Sequence, residues 1–256
     1  MIILLFFIAH WYFSLFSQTF FQHRYAAHGA FTMSKGWERF FFIFTFITQG
    51  SSYLSTRAYA VMHRMHHAFA DTENDPHSPK YDETIWNMMW KTKTIYSAIA
   101  NKKMVPESRF TEGVPQWEAF DKIARSWPSR VFWGLIYVAL FVQFTTAWWQ
   151  WLLLPVMFLM SPIHGAIINW FAHKYGYRNF EVGDTSRNFL PVDFLMMGES
   201  YHNNHHKHGS RANFGGIRWH EIDPTYQVIR LLSKLKVITL TKHKLMHVER
   251  VQKKAA

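Results

Sequence analysis

The segment Met62–His77, MHRMHHAFADTENDPH, is the part of the sequence from which the rest is best interpreted. It places His63, His66 and His67 in the pattern H-x-x-H-H. On a helix, residues three and four positions apart lie on one face, so these imidazoles should point to a common spot. Imidazoles gathered on a rigid element are typical metal ligands. The segment therefore predicts a metal site on a helix.

The same spacing recurs far along the chain, in the sequence YHNNHH. There His202, His205 and His206 repeat the offsets of the first cluster. One such cluster can arise by chance in a chain with 16 histidines, but two of identical spacing are hard to explain in that way. We therefore favour metal binding over a histidine-rich face in contact with solvent.

Two further pairs extend this interpretation. His23 and His28 are five residues apart, which separates side chains by about 140° on an ideal α-helix. These two histidines should therefore serve different metals or sit where a helix ends. Asn169 and His173 are four residues apart, and a helix would place both on one face.

Length and composition restrict the possible chemistry. A chain of 256 residues is expected to form one domain, here residues 1–256. Because the sequence contains no cysteine, disulfides, iron–sulfur ligation and thiol catalysis are excluded. Any bound metal must therefore use nitrogen and oxygen ligands.

The net charge of +11 is accompanied by many aromatic residues, including 24 phenylalanines and 12 tryptophans. The basic residues flank hydrophobic stretches and do not form a separate basic domain. Attraction to lipid headgroups, or positive-inside topology, explains this charge more economically than nucleic acid binding. We expect a lipid membrane as a partner, and no nucleic acid.

Two uncharged hydrophobic stretches are long enough to cross a bilayer. Ile2–Phe21 supplies about 20 mostly apolar residues for one helix. Val131–Ala172 has room for two helices, with a turn near Thr145–Gln150 and kinks expected at Pro155 and Pro162. The predicted fold class is an all-α integral membrane protein with about three spanning helices plus interfacial helices.

The other segments are predicted to lie outside the hydrocarbon core. We interpret Phe40–Thr56 as an interfacial helix, because a crossing there would separate the histidines before it from those after it. Asp71–Pro128 is polar and should contain a helix at Thr84–Ala100, and Thr225–Leu235 should form an amphipathic helix. The lysines and arginines fall in the segments that carry the histidines, which predicts a histidine-ligated metal cap on the cytosolic side.

At this point the motifs resemble those of a known family. HRYAAH, HRMHH and HNNHH look like the three histidine boxes of the membrane fatty acid desaturases, most closely the stearoyl-CoA (delta-9 acyl-CoA) branch. Supporting matches are DTENDPHSP, GESYHNNHH, NWFAHKYGYRNF and EIDPTYQVIRLL. The resemblance covers nearly the whole chain.

The resemblance implies a centre of two iron ions that uses O2 as co-substrate. Carried over position by position, its ligands are His23, His28, His63, His66, His67, His173, His202, His205 and His206. Asn169 matches an asparagine that holds a metal-bound water. Imidazole ligands also suit zinc or copper, so the identity of the metal comes from the resemblance and not from the spacing.

The implied activity is an O2-dependent desaturation that inserts a cis double bond into a saturated fatty acyl chain, with delta-9 as the expected position. The substrate would be an acyl-CoA or an acyl-lipid held in an apolar tunnel. No haem-binding or flavin-binding segment is present in the sequence, so a separate protein of the cytochrome b5, ferredoxin or rubredoxin type must donate electrons. The expected location is a bacterial inner membrane, or the endoplasmic reticulum in a eukaryote.

Two features depart from the family pattern. Members usually have another hydrophobic segment before the first box, so this chain is either a short form with an external N-terminus or starts late. Animal members also carry an arginine–aspartate pair before the second box that helps to bind CoA. Val61 and Met62 occupy those positions here, which leaves the acyl carrier open.

Two other functions are compatible with histidine clusters of this kind. A di-iron hydroxylase or other oxygenase could use the same scaffold, because the first hydrogen abstraction is common to both reactions. A non-enzymatic metal-binding or transport protein would instead place ionisable residues in the middle of several spans. Here the clusters lie at the ends of predicted spans, which favours the enzyme.

The other histidines are not expected to bind metal. His77 should order a loop or support a ligand, and His164 and His10 lie in predicted spans, where His164 is a candidate to line the tunnel. Surface positions or positions beside ligands are expected for His208, His220, His243 and His247. Acceptors for the ligand N–H groups are expected among Asp71, Glu73, Asp75 and Glu199.

Overall fold

The computed structural model describes residues 1–241, most of which are helical. The elements in order are α1 (Ile2–Phe16), a π-helix (Ser17–Ala27), β1 (Phe31–Met33), α2 (Lys35–Gln49), a 3-10 helix (Gly50–Ser52), α3 (Thr56–Phe69), α4 (Ile85–Ala100), α5 (Ser108–Thr111), α6 (Glu118–Ala124), α7 (Trp127–Phe144), a 3-10 helix (Trp148–Leu152), α8 (Leu153–Phe158), α9 (Met160–Ala166), a π-helix (Ile167–Phe171), α10 (His202–Lys207), α11 (Pro224–Lys234) and β2 (Ile238–Leu240). Helices therefore dominate the fold, as predicted.

Both helices predicted in the polar segments are present as α4 and α11. The Thr84 hydroxyl accepts a hydrogen bond from the Asn87 backbone N–H at 3.2 Å and so caps α4. The Asp223 carboxylate caps α11 by accepting from the Tyr226 N–H at 3.0 Å. Pro224 follows at the first helical position, where a missing N–H costs nothing. Both capping residues can be recognised in the sequence, so both helices can be predicted from it.

The first helix is longer than its apolar run suggests. α1 continues into the π-helix without a break, so that residues 2–27 form one helix long and apolar enough to cross a membrane. The extension beyond Phe21 includes the fully buried Arg24, whose Nη1 lies 3.0 Å from the Asp223 carboxylate. This ion pair compensates the charge inside the protein, so the helix continues past the end of the apolar run.

Kinks are predicted at Pro155 and Pro162, and the structure has one sharp bend, which lies between these two residues. Trp148–Phe158 and Met160–Phe171 meet at 76°, as a broken span or a re-entrant loop. Pro162 has no N–H to donate to the carbonyl of Phe158, four residues earlier. That carbonyl accepts a hydrogen bond from the Ser51 hydroxyl at 3.3 Å instead.

The number of spans stays a prediction. By length and composition, residues 1–241 contain one helix that can cross a membrane, and the bent pair is the second candidate. The other predicted span, α7, has 18 residues but begins with Trp127–Arg130, which include a proline and a charge. Three straight spans are therefore not observed.

A small antiparallel sheet departs from the predicted all-α fold. β1 pairs with β2, with Phe31 opposite Leu240 and Met33 opposite Ile238. Each strand has three residues, and its partner lies more than 200 positions away in the chain. Strands so short leave no periodic pattern, so the sequence alone does not predict them.

Two apolar clusters fix the helices against one another. The first joins the end of the long first helix to β1, α2 and α11 through Phe20, Phe21, Phe31, Phe41, Phe42 and Ile229. The second packs α7, α8 and α9 against α1 through Ile3, Tyr137, Phe141, Met157 and Met160. Large apolar side chains on the outer face of α7 are nevertheless exposed, namely Val131, Phe132, Leu135 and Val142. Such a face suits contact with lipid.

Candidate metal centre

The second histidine box divides its residues between two directions. α3 begins after Ser55, whose hydroxyl accepts from the Ala58 N–H, and its last turns carry the box. His63 and His67 are one turn apart, with their Nε2 atoms 2.9 Å from each other. His66 lies about 100° around the helix from His67 and points elsewhere. The prediction that all three imidazoles share one spot is therefore wrong.

The third box repeats this division on α10. His202 and His206, one turn apart, have ring centroids 4.3 Å apart and face the direction taken by His66. His205 points the other way, and its Nε2 lies 2.9 Å from that of His67. In each box the residues four apart serve one side, and the middle histidine reaches across to the other. Both boxes thus contribute to two neighbouring sites.

The nine predicted ligands form two buried or half-buried groups. Within each group the nearest ring nitrogens all lie within 4.8 Å of one another. The larger group, called site 1, contains His23, His28, His63, His67 and His205. The smaller, called site 2, contains His66, His173, His202 and His206. The structure therefore brings together every histidine of the predicted set.

The π-helix explains how the first box fits into site 1. A π-helix bonds residues five apart, and the His28 N–H donates to the His23 carbonyl at 3.1 Å. This winding places the two side chains on the same face, with ring centroids 4.9 Å apart and ring planes inclined at 58°. The expectation that they serve different metals is wrong, because it assumed an α-helix. The alternative, that a helix ends there, agrees with His28 as the C-cap.

Buried carboxylates determine which ring nitrogen faces each site. The Nδ1–H of His66 donates to Asp75 at 2.9 Å, and that of His23 donates to Glu199 at 2.9 Å. The Nδ1–H of His206 donates to Asp184 at 3.1 Å. An ionised carboxylate can only accept, so in the neutral form of each of these rings Nε2 carries the lone pair that faces the site.

These carboxyl groups are held in the ionised form. Burial opposes ionisation of Asp75, but the adjacent His66 ring and its hydrogen bond outweigh burial and hold the pKa of Asp75 at about 2. Burial also opposes ionisation of Glu199, yet His23 and Arg24 keep its pKa below the usual value. Fixed negative charges therefore orient a ligand in each site.

Three of the four predicted acceptors lie beside the sites. Asp75 and Glu199 bond ligands directly, and Asp71 Oδ2 lies 3.7 Å from Nδ1 of His173. Glu73 is exposed to solvent, so the prediction that it accepts a hydrogen bond from a ligand N–H group is wrong. Asp184, the acceptor for His206, is not predicted from the sequence, because it lies eleven residues after the nearest predicted ligand and outside any motif.

Burial keeps most of the ring nitrogens available as ligands. Burial, followed by repulsion from neighbouring histidines, holds the pKa of His28, His63 and His205 well below the usual value. Neutral imidazoles offer a lone pair, whereas protonated ones cannot bind a metal.

The nitrogen spacing fits metal coordination. Adjacent Nε2 atoms in site 1 are 2.8 Å apart for His28 and His63 and 3.0 Å apart for His23 and His205. With a metal–nitrogen bond of about 2.1 Å, ligands at right angles are separated by about 3.0 Å. The corresponding spacing of His173 and His202 in site 2 is 3.1 Å. Both donor sets therefore suit a metal such as iron, zinc or copper.

A cavity of about 790 Å³ runs past both sites. His23, His63 and His202 form part of its wall, together with Asn169, which lies on the π-helix that precedes His173. Beyond the histidines its wall is mainly apolar, with Leu15, Leu54, Leu159, Ile168 and Met196. The cavity can accommodate a long hydrocarbon chain next to the ring nitrogens.

The remaining histidines differ in their surroundings. His164 lines the cavity, as one interpretation predicted, whereas Nε2 of His10 lies 3.2 Å from the Tyr137 hydroxyl, outside the cavity wall. His77 also lines the cavity and stacks on His66 with centroids 4.3 Å apart. His208 packs against Phe180, His220 packs against Tyr177, and His243 and His247 lie outside the described residues.

Comparison with known proteins agrees with this geometry. The family model described as fatty acid desaturase matches residues 1–241. The chain is 29% identical over 241 residues to the Delta-9 desaturase-like 4 protein of Arabidopsis thaliana, which covers 87% of this chain and 71% of that protein. It is 31% identical over 218 residues to the sn-1 stearoyl-lipid 9-desaturase of Synechocystis sp., and this match covers 83% of this chain and 63% of that protein. It is 30% identical over 224 residues to the Delta-9 acyl-lipid desaturase 1 of A. thaliana, and this match covers 85% of this chain and 68% of that protein. The chain belongs to the fatty acid desaturase family.

Proposed function

We propose that this protein is an O2-dependent desaturase that inserts a cis double bond into a saturated fatty acyl chain. The observation that carries the proposal is the convergence of nine histidines in two groups beside a cavity sized for that chain, with His23, His63 and His202 on its wall. Sites 1 and 2 would each hold one iron ion. When bound, the two irons supply the power to reduce O2 and to oxidise an unactivated carbon chain.

The overall reaction balances with an external source of electrons. A –CH2–CH2– unit, O2, two electrons and two protons give –CH=CH– and two waters. The sequence contains no haem-binding or flavin-binding segment, so a separate donor of the cytochrome b5, ferredoxin or rubredoxin type would deliver the electrons. The apolar cavity wall holds the substrate and fixes which two carbons lie beside the ring nitrogens.

The unequal division of ligands suggests different roles for the two sites. Site 1 has five imidazoles and site 2 has four, so a metal in site 2 would have one protein ligand fewer. Asn169 lines the cavity four residues before His173, a ligand of site 2. An amide binds metal weakly compared with imidazole, so we assign Asn169 to hold the water.

The names of the relatives support a proposal for the position of the double bond. Of the three relatives compared above, one is named a stearoyl-lipid 9-desaturase, one a Delta-9 acyl-lipid desaturase and one a Delta-9 desaturase-like protein. We therefore propose delta-9 desaturation for this chain. The protein would be an integral membrane protein of a bacterial inner membrane, or of the endoplasmic reticulum in a eukaryote, with both sites on the cytosolic side.

The fatty acid profile of a host that expresses the chain tests this function. We expect new monounsaturated acids whose double bond mass spectrometry locates at carbon 9. A host expressing His205→Ala, which removes a ligand that contacts both His23 and His67, should lack them. Hydroxylated acids in place of unsaturated ones would assign the scaffold to an oxygenase instead. An unchanged profile with iron-loaded protein present would contradict the proposal.

A further inference from the structure

We propose that Phe214 is a positioning residue for His205, and that a buried contact with Arg24 keeps its ring against this histidine. The inference rests on the proposed function only in requiring that site 1 binds a metal ion. It assigns a role in that site to a residue that lies outside all three histidine boxes and has no metal-binding atom in its side chain. The consequence is that one metal can be lost while the other stays bound.

His205 is a central ligand of site 1. Its Nε2 lies 3.0 Å from Nε2 of His23 and 2.9 Å from Nε2 of His67. Carboxylates orient the rings of His23, His66 and His206 by accepting from Nδ1. By contrast, Nδ1 of His205 is buried and has no hydrogen-bond partner within residues 1–241. Packing must therefore set the angle of this ring.

The ring of Phe214 provides that packing. Its centroid lies 4.2 Å from the ring centroid of His205, with 39° between the two planes. The ring of His23 is also close, with its centroid 5.3 Å from that of Phe214. Phe214 is itself buried, and side chains in a close-packed interior turn only when their neighbours move. Phe214 therefore restricts the rotation of the His205 ring.

Arg24 makes a second contact with the ring of Phe214. Its guanidinium carbon lies 3.9 Å from the ring centroid, which is a cation–π contact. Nη1 of Arg24 donates to the Asp223 carboxylate at 3.2 Å and to the carbonyl of Ala212 at 3.0 Å. The pair is buried, so moving the guanidinium would leave a charge without its partner, at a high cost in free energy. Arg24 is therefore a fixed support for the ring of Phe214.

Hydrogen bonds also hold the backbone of Phe214 at both of its polar groups. Its N–H donates to the Asp223 carboxylate at 2.9 Å, and its carbonyl accepts from the side-chain amide of Asn204 at 2.9 Å. Asn204 precedes His205 on α10, so these bonds tie Phe214 directly to the helix that carries the ligand. Backbone and ring are thus held independently, as positioning a neighbouring side chain requires.

This support belongs to site 1. Phe214 contacts the rings of two site 1 histidines, whereas within residues 1–241 no ring contact joins it to a histidine of site 2. The four histidines of site 2 should therefore keep their positions when Phe214 is replaced. Loss of its ring should weaken metal binding at site 1 and leave site 2 unchanged.

Release of iron to a chelator from the full-length, iron-loaded chain in detergent tests the inference. Phe214→Leu keeps a buried apolar side chain but loses the flat ring. One of its two irons should leave about tenfold faster than in the wild type, because a residue that orients a ligand is lost. The other iron should leave at the wild-type rate. The iron that remains in His205→Ala belongs to site 2, so adding Phe214→Leu to that variant should not alter its release.

Phe141→Leu is the matched control. Phe141 is also buried, but it packs in the apolar cluster of α7, α8 and α9 and not against a histidine ring of either site. Both substitutions remove a buried ring and should lower the melting temperature, but only Phe214→Leu should speed the release of iron. Equal release rates in the two variants, or equal acceleration of both irons in Phe214→Leu, would overturn the inference.

Arg24→Lys is an independent variant of the same device. It keeps a positive charge beside Asp223 but replaces the planar group that lies over Phe214 with an ammonium. Iron should leave site 1 faster than in the wild type, with site 2 again unchanged. A wild-type rate of release would show that Arg24 does not support the ring.

Iron release is measured without turnover, so the two proposals can fail separately. A chain whose site 1 depends on Phe214 but that forms no double bond would contradict the proposed function alone. Double bonds formed by the wild type, together with wild-type iron release from Phe214→Leu, would contradict the role of Phe214 alone.

Discussion

At the scale of single residues, the neighbours of each histidine decide which nitrogen it offers. Asp75, Asp184 and Glu199 each accept an Nδ1–H, so the Nε2 atoms of their partners point into sites 1 and 2. A metal bound there would depend on these carboxylates as well as on the ligands. Substituting a carboxylate that does not itself touch the metal should therefore still change the metal content.

Replacing the acceptor of His66 tests this dependence. In Asp75→Asn the side chain no longer carries the charge that fixes the His66 ring, and we expect iron affinity of site 2 to fall about 10- to 100-fold. Competition with a chelator, followed by metal analysis, measures the change. Glu73→Gln alters an exposed acid in the same loop and should bind iron like the wild type. Equal iron retention in both variants would show that the hydrogen bond does not support the site.

Alanine substitutions at Asn169 and His173 should have different effects on metal content, although the two residues are only four positions apart. Asn169→Ala should keep about two irons per chain but lose most activity, because it disturbs only the water we assign to it. His173→Ala removes an imidazole of site 2 and should lose iron as well. Metal analysis and product assay on the same preparations compare the two variants. Full activity in Asn169→Ala would refute the role proposed for it.

At the scale of secondary structure, the helices could be predicted better than their finer geometry. The capped helices α4 and α11 and the kink near Pro162 follow from local sequence signals. The two π-helices and the two short strands do not, because tertiary packing selects them over the local preference. The structure brings together all nine histidines that the family resemblance named, but their division between two sites follows from the direction of each side chain around α3 and α10 and was not predicted.

The junction of α2 and α7 provides a prediction at this scale. Gly50 ends α2 with φ of 53°, and a Cβ there would lie 1.7 Å from the Tyr137 hydroxyl oxygen. Gly50→Ala should therefore cost about 2 kcal/mol or more and lower the melting temperature in detergent. Gly36→Ala, in the first turn of α2, meets no atom closer than 3.8 Å and should be neutral or stabilising. A Gly50→Ala melting temperature equal to the wild type would show that the two helices do not approach so closely.

At the scale of the whole molecule, the account requires both sites to lie on one side of the membrane. The chain has no cysteine, so each introduced cysteine is a unique label. Thr32→Cys and Lys80→Cys, both exposed, should react only with reagent on the cytosolic side. Trp148→Cys, at the turn between the last helices, should react only from the other side. Labelling of Thr32→Cys and Lys80→Cys from opposite sides would contradict the arrangement of the histidine boxes.

The iron content of the purified chain tests the central claim most directly. Sites 1 and 2 together predict two irons per chain after growth with sufficient iron. His208→Ala, which alters a histidine outside both sites, should also contain two, whereas His205→Ala should contain about one or fewer. One iron per wild-type chain, or two in His205→Ala, would contradict the assignment of nine histidines to two metals.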